Sequence, residues 1–119
     1  MTVDRGASRT GLGAWWWQRL TAVYIGVTLV TGILWLWADP PGGYAAWLAR
    51  LRWGAVPPLL AVLVVAVALH AYVGMRDIFM DYLPAGSGRT VVLALWTALV
   101  TLLAAAGLLW VVGLQGGGP

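Results

Sequence analysis

Few side chains in this chain can hold a cofactor or move a proton, and most of them fall between His70 and Tyr82. His70 is the only histidine. It stands in an apolar run about 8 Å of helix before the first charge, Arg76, which puts it at hydrocarbon rather than headgroup depth. An ionisable residue there is costly and marks a function by default. Three roles compete for it: a hydrogen-bonded structural histidine, a proton relay, and an axial ligand to haem or another metal. Ala66, Val67, Val73 and Gly74 occupy the neighbouring helical positions and would form a small, flat apolar patch against which a porphyrin fits. A relay needs further polar groups deeper on the same face, and the sequence offers none. Gly74 serves close helix packing equally well.

Asp81 and Tyr82 follow about 17 to 18 Å farther along the same helix, at the membrane boundary. An Asp-Tyr pair there is an anchor in the plainest reading. In the functional one, the phenol is a neutral donor for a quinone carbonyl, and the carboxylate beside it orients it or passes a proton. Arg19 has the same double status: it is a snorkelling orientation residue, or a guanidinium whose planar fork matches haem propionates. Asp77, seven residues after His70, lies on nearly the same face and is expected to pair with an arginine of a partner chain.

The elements that position these groups follow from composition. Of 119 residues, 61% are hydrophobic and 9% charged, and the mean hydropathy is +0.85. So few polar side chains cannot cover a soluble fold, whereas a bilayer solvates such a chain directly. All seven cations are arginines scattered between apolar runs, with no basic patch, which argues against a nucleic-acid partner. The absence of cysteine removes disulfides, thiolate metal sites and covalent haem attachment.

An all-α membrane protein with three spans is expected. Residues 1–14 read as a polar arm in water and 15–37 as the first span, with Trp17 and Trp37 about 30 Å apart along a helix, the thickness of the hydrocarbon. Trp35-Leu-Trp-Ala-Asp39 lacks a small-x-small cleavage pattern, so this run is expected to be retained. Asp39-Pro-Pro-Gly-Gly43 ends it. Within the 38–55 loop, Tyr44, Trp47, Leu48 and Leu51 have the spacing of a short interfacial helix. Pro57 and Pro58 suit the first turn of a second span over 56–82. A turn over 83–89, a third span over 90–114 and a flexible tail over 115–119 complete a single membrane domain.

Arg5, Arg9, Arg19, Arg76 and Arg89 fall on one side of such a topology, and Arg50 and Arg52 on the other. The positive-inside rule then puts the N-terminus in the cytoplasm and the C-terminus outside. Arg19 and Tyr82 share the cytoplasmic face and can serve one site.

A haem on His70 needs a second axial ligand. The chain has no other His and no Cys, and Met75 and Met80 share a span with His70, so they cannot reach the opposite face of the porphyrin. A second membrane subunit is implied.

The pattern of His70, Gly74 and Asp81-Tyr82, preceded by Arg19-Leu-Thr-Ala at the head of the first of three spans, resembles the smaller hydrophobic membrane anchor of succinate dehydrogenase, the cytochrome b subunit of respiratory complex II. The likeness covers nearly the whole chain in span count and order. It is carried by residues mainly in the His70–Tyr82 stretch and around Arg19. The Trp15–Trp17 triplet and the Arg76-Asp77 pair lie outside it. What the resemblance implies is a heterotetramer: a flavoprotein subunit with FAD, an iron-sulfur subunit, a larger cytochrome b anchor, and this chain. His70 would be one axial ligand of haem b, Arg19 would face its propionates with Gly74 beside the cofactor, and Tyr82, with Asp81, would contact ubiquinone or menaquinone. The chain would be a subunit with no catalysis of its own in isolation. Two alternatives stand beside it: a cofactor-free structural subunit, and a small proton or solute transport protein, for which polar residues should line a path across the membrane.

Overall fold

The computed structural model describes residues 7–117, with side chains from residue 11. Four helices follow one another: α1 (Ala7–Ala38), α2 (Tyr44–Leu51), α3 (Val56–Tyr82) and α4 (Ser87–Gly116). Among the described residues there is no strand. Three of the helices, α1 from Gly11, α3 and α4, are long and apolar enough to cross a membrane.

The breaks fall where the backbone chemistry demands them. Pro57 and Pro58 occupy the first positions of α3, where a missing N–H leaves no helical bond unmade. Gly43 and Gly86 precede α2 and α4 with φ of 148° and 155°, a conformation that side-chain-bearing residues seldom adopt. The short helix expected around Tyr44–Leu51 is present, with Trp47, Leu48 and Leu51 half-buried and Tyr44 exposed.

Both ends of the spans run farther than the hydropathy indicated. α1 begins at Ala7, inside the segment expected as a loose arm, and α4 continues to Gly116, into the expected tail. Hydropathy marks where a helix meets lipid, not where it stops: once an apolar run has nucleated, each further residue adds a hydrogen bond at little cost. Met1–Gly6, with the arm's Arg5, and Gly118–Pro119 lie outside the described residues.

α3 is the middle of a row. It packs along α1 on one side and α4 on the other, and touches α2 lightly, whereas α1 and α4 make no packing of comparable extent. Against α4, Val64 rides over Gly107, and Phe79 meets Trp96 edge-on with ring centroids 6.2 Å apart. Against α1, the Tyr24 hydroxyl donates to the Leu59 carbonyl at 2.8 Å. The core is small, with Ala66, Val73, Val111 and Leu114 its buried apolar residues. Most large apolar side chains of α1 and α4 face outward, as they do where lipid or another membrane helix is the solvent.

The other end of the row is fastened by Arg50. Its guanidinium lies over the Trp35 ring, 4.9 Å from the centroid, and pairs with the Asp39 carboxylate at 2.6 Å while also donating to the Asp39 carbonyl. α2 is thereby tied to the C-terminus of α1. Arg52 reaches across to Gly117 at the C-terminus of α4, where a cation complements the helix dipole.

Candidate functional site

His70 faces α1. Its Nδ1 stands 3.2 Å from the Gln18 carbonyl oxygen and 3.3 Å from Thr21 Oγ1. Thr21 is only 5% exposed, and its hydroxyl donates to the Trp17 carbonyl at 2.7 Å. These partners fix the proton on the ring. The Gln18 carbonyl is an acceptor only, and the Thr21 proton is committed to Trp17, so Nδ1 must carry the hydrogen and donate it. A neutral imidazole with Nδ1–H has its lone pair on Nε2. Held in that tautomer, a histidine presents the Nε2 lone pair to a metal, with its ring orientation fixed by the Nδ1 hydrogen bond.

His70 lines an open cleft with Trp15, Gln18, Arg19 and Ala22 of α1. The Arg19 guanidinium sits 5.3 Å from the Trp15 ring centroid, and among the described residues it has no carboxylate partner. Arg19 thus borders the same open cleft as His70, whereas topology groups it with Tyr82 at the cytoplasmic face.

The surface around His70 differs from the bare patch expected from helical spacing. Ala66 and Val73 are buried within the chain, and Gly74 lies beneath α1, where a Cβ would come 3.3 Å from Gln18 Nε2. Only Val67 of those four positions remains exposed, at 47%. Gly74 thus lies under the Gln18 side chain of α1, whose amide covers it. The open wall next to the histidine belongs to α1 instead, because α1 docks on the face of α3 from which His70 projects.

Asp81 and Tyr82 close α3, and Tyr82 is 83% exposed. They lie about 17 to 18 Å along the helix from His70, so the two sets of residues form separate stations on one element. Asp77 pairs with its neighbour Arg76 at 3.4 Å, both groups partly exposed, which is a weak contact in this position. Among the described residues no group of three His, Cys, Asp or Glu side chains could hold a metal ion, so His70 belongs to no such cluster.

Thr21 and Gln18 are the contributors that sequence spacing did not single out. For Thr21 the usable signal was that polar side chains within membrane helices seek one another. The Gln18 contact is made by its backbone carbonyl, which no side-chain pattern records.

A row of membrane-length helices with one imidazole pinned at a helix–helix seam defines a multi-span membrane subunit rather than a soluble enzyme. The chain matches the family of succinate dehydrogenase/fumarate reductase transmembrane subunits over residues 3–111 and belongs to it. It is also similar to the succinate dehydrogenase hydrophobic membrane anchor subunit of Coxiella burnetii (strain RSA 493 / Nine Mile phase I), with 33% identity over 101 residues, 85% of this chain and 84% of the relative. No solved structure matches it. The protein is a membrane anchor subunit of this family.

Proposed function

We propose that this subunit supplies one axial ligand, His70, to a b-type haem shared with a larger cytochrome b anchor, and one wall of a quinone-reduction site at Asp81 and Tyr82. The observation that carries this reading is the Nδ1 hydrogen bond of His70 to the Gln18 carbonyl at 3.2 Å, which leaves Nε2 free to ligate. The donor set fits such a group, since imidazole is a common axial ligand and the opposite face requires a donor from outside the chain. Arg19 lines the same cleft as His70, which supports its pairing with propionates, and Gly74 lies beside the ligand under the Gln18 side chain. When bound, haem b takes up and releases single electrons.

Tyr82 donates its hydroxyl to a carbonyl of ubiquinone or menaquinone, and Asp81 beside it exchanges protons with water. The remaining parts of the complex are a flavoprotein carrying FAD and an iron-sulfur subunit on the cytoplasmic side. In a bacterial cytoplasmic membrane, the arginine bias puts the N-terminus inside and the C-terminus outside.

Transport is disfavoured by the recorded threonine contacts on α4. Thr90, Thr97 and Thr101 bond back to the carbonyls of Gly86, Leu93 and Thr97, so these hydroxyls are satisfied within their own helix.

The test is a reduced-minus-oxidised spectrum of the purified complex. The parent complex is expected to show a low-spin b-haem signature that disappears in His70→Ala. A signature that survives the substitution overturns the ligand assignment, and a parent complex with no haem absorbance supports the cofactor-free structural subunit.

A further inference from the structure

We infer that Thr21 is a positioning residue for His70, fixing the tautomer and the ring plane from which Nε2 meets its ligand. This deepens the haem ligation proposed above and rests on it.

Thr21 sits two residues after Arg19 on α1 and is buried, so water does not compete for its hydroxyl. The hydroxyl is held on its own helix, 2.7 Å from the Trp17 carbonyl and 3.1 Å from that of Gln18. With its proton engaged there, the oxygen turns lone pairs toward Nδ1 of His70 at 3.3 Å. The second acceptor, the Gln18 carbonyl, stands at a similar distance, so Nδ1–H is shared between two fixed oxygens of α1. One acceptor restrains a single N–H direction, whereas two restrain the rotation of the ring as well. Threonine suits this role because its branched Cβ limits χ1 and lets Oγ1 bond back to the preceding turn. The shared bond also raises electron donation from Nε2, which stabilises the oxidised form of a bound iron.

Substitutions separate this role from packing. Thr21→Val keeps the shape and removes the hydroxyl; Thr21→Ser keeps the hydroxyl and removes the methyl; Thr21→Ala removes both. In the intact purified complex, the haem reduction potential is expected to rise in the Val and Ala variants, with a displaced low-spin EPR signal and haem retention weakened about tenfold. The Ser variant should keep the parental potential and signal. A packing role predicts the reverse order, with Val parental and Ser disturbed, and that order overturns the proposal. Should the Val complex fail to assemble, Ser against Ala isolates the hydroxyl by itself, and equal potentials in those two overturn it. His70→Ala is run in parallel. Survival of its low-spin signature overturns the ligation itself, whereas loss of that signature together with unmoved Thr21 variants overturns only the role of Thr21.

Discussion

Val64 of α3 lies so close over Gly107 of α4 that a Cβ on the glycine would stand 3.0 Å from Val64 Cγ1 and 3.2 Å from Cγ2. Valine is stiff about χ1 and cannot swing clear, so the backbones would have to part. Gly107→Leu is expected to destabilise the subunit by about 1–3 kcal/mol, the usual penalty of overpacking. Gly113, on the same helix, has open space where its Cβ would be. There, Gly113→Ala should be neutral or stabilise by up to about 1 kcal/mol through helix propensity. Thermal unfolding of the two variants reads the difference, and Val64→Ala should restore part of the loss in Gly107→Leu.

Tyr82→Phe removes one hydroxyl from a side chain that is 83% exposed. If that hydroxyl holds a quinone carbonyl, the loss is that of a single hydrogen bond, about 0.5–1.5 kcal/mol, or roughly two- to thirteenfold in quinone reduction. Succinate oxidation with an artificial acceptor should be unchanged. Equal quinone kinetics in the two proteins would sink the assignment.

Asp39 and Arg50 tie α2 to α1, and the partners are unequal: the Arg50 side chain is 15% exposed and that of Asp39 71%. An ion pair with one end in water contributes about 0.2–1 kcal/mol, so Asp39→Asn should raise tryptic cleavage at Arg52 by up to about fivefold. Arg50→Ala also loses the stacking on Trp35, worth about 0.5–1 kcal/mol more, and should open α2 further. Cleavage rates on outward-facing vesicles, compared in a double-mutant cycle, test both statements.

The chain has no cysteine, so single introduced thiols report sidedness cleanly. Gly42 precedes α2 with open space around its Cβ position, and Ala85 is exposed in the turn between α3 and α4. With the N-terminus cytoplasmic, Gly42→Cys in intact cells should react with a membrane-impermeant maleimide, and Ala85→Cys only after lysis. The opposite pattern would invert the orientation.

The spans were legible in the sequence because lipid imposes length and hydropathy on them without reference to anything else in the chain. Pro57 and Pro58 and the glycines at 43 and 86 are likewise local signals, although α4 starts at Ser87, inside the turn expected over 83–89. Topology grouped Arg19 with Tyr82 at one face, and the cleft that Arg19 shares with His70 was not read from it. What could not be read was register. Whether α1 or α4 would cover Ala66, Val73 and Gly74 depends on how two helices slide and rotate against each other, and no single helix's periodicity records that. Thr21 therefore looked like one unremarkable threonine in a span, though it is the buried hydroxyl that meets His70.

The row arrangement has a consequence for assembly order. Because α1 and α4, among the described residues, each pack extensively on α3 and not on each other, a helix from another subunit can seat itself beside α3 without parting either of those two packing surfaces. Nothing has to be undone first. Complex formation then proceeds by addition rather than exchange, so its rate should follow encounter in the plane of the bilayer, with no slow opening step in the anchor setting the pace.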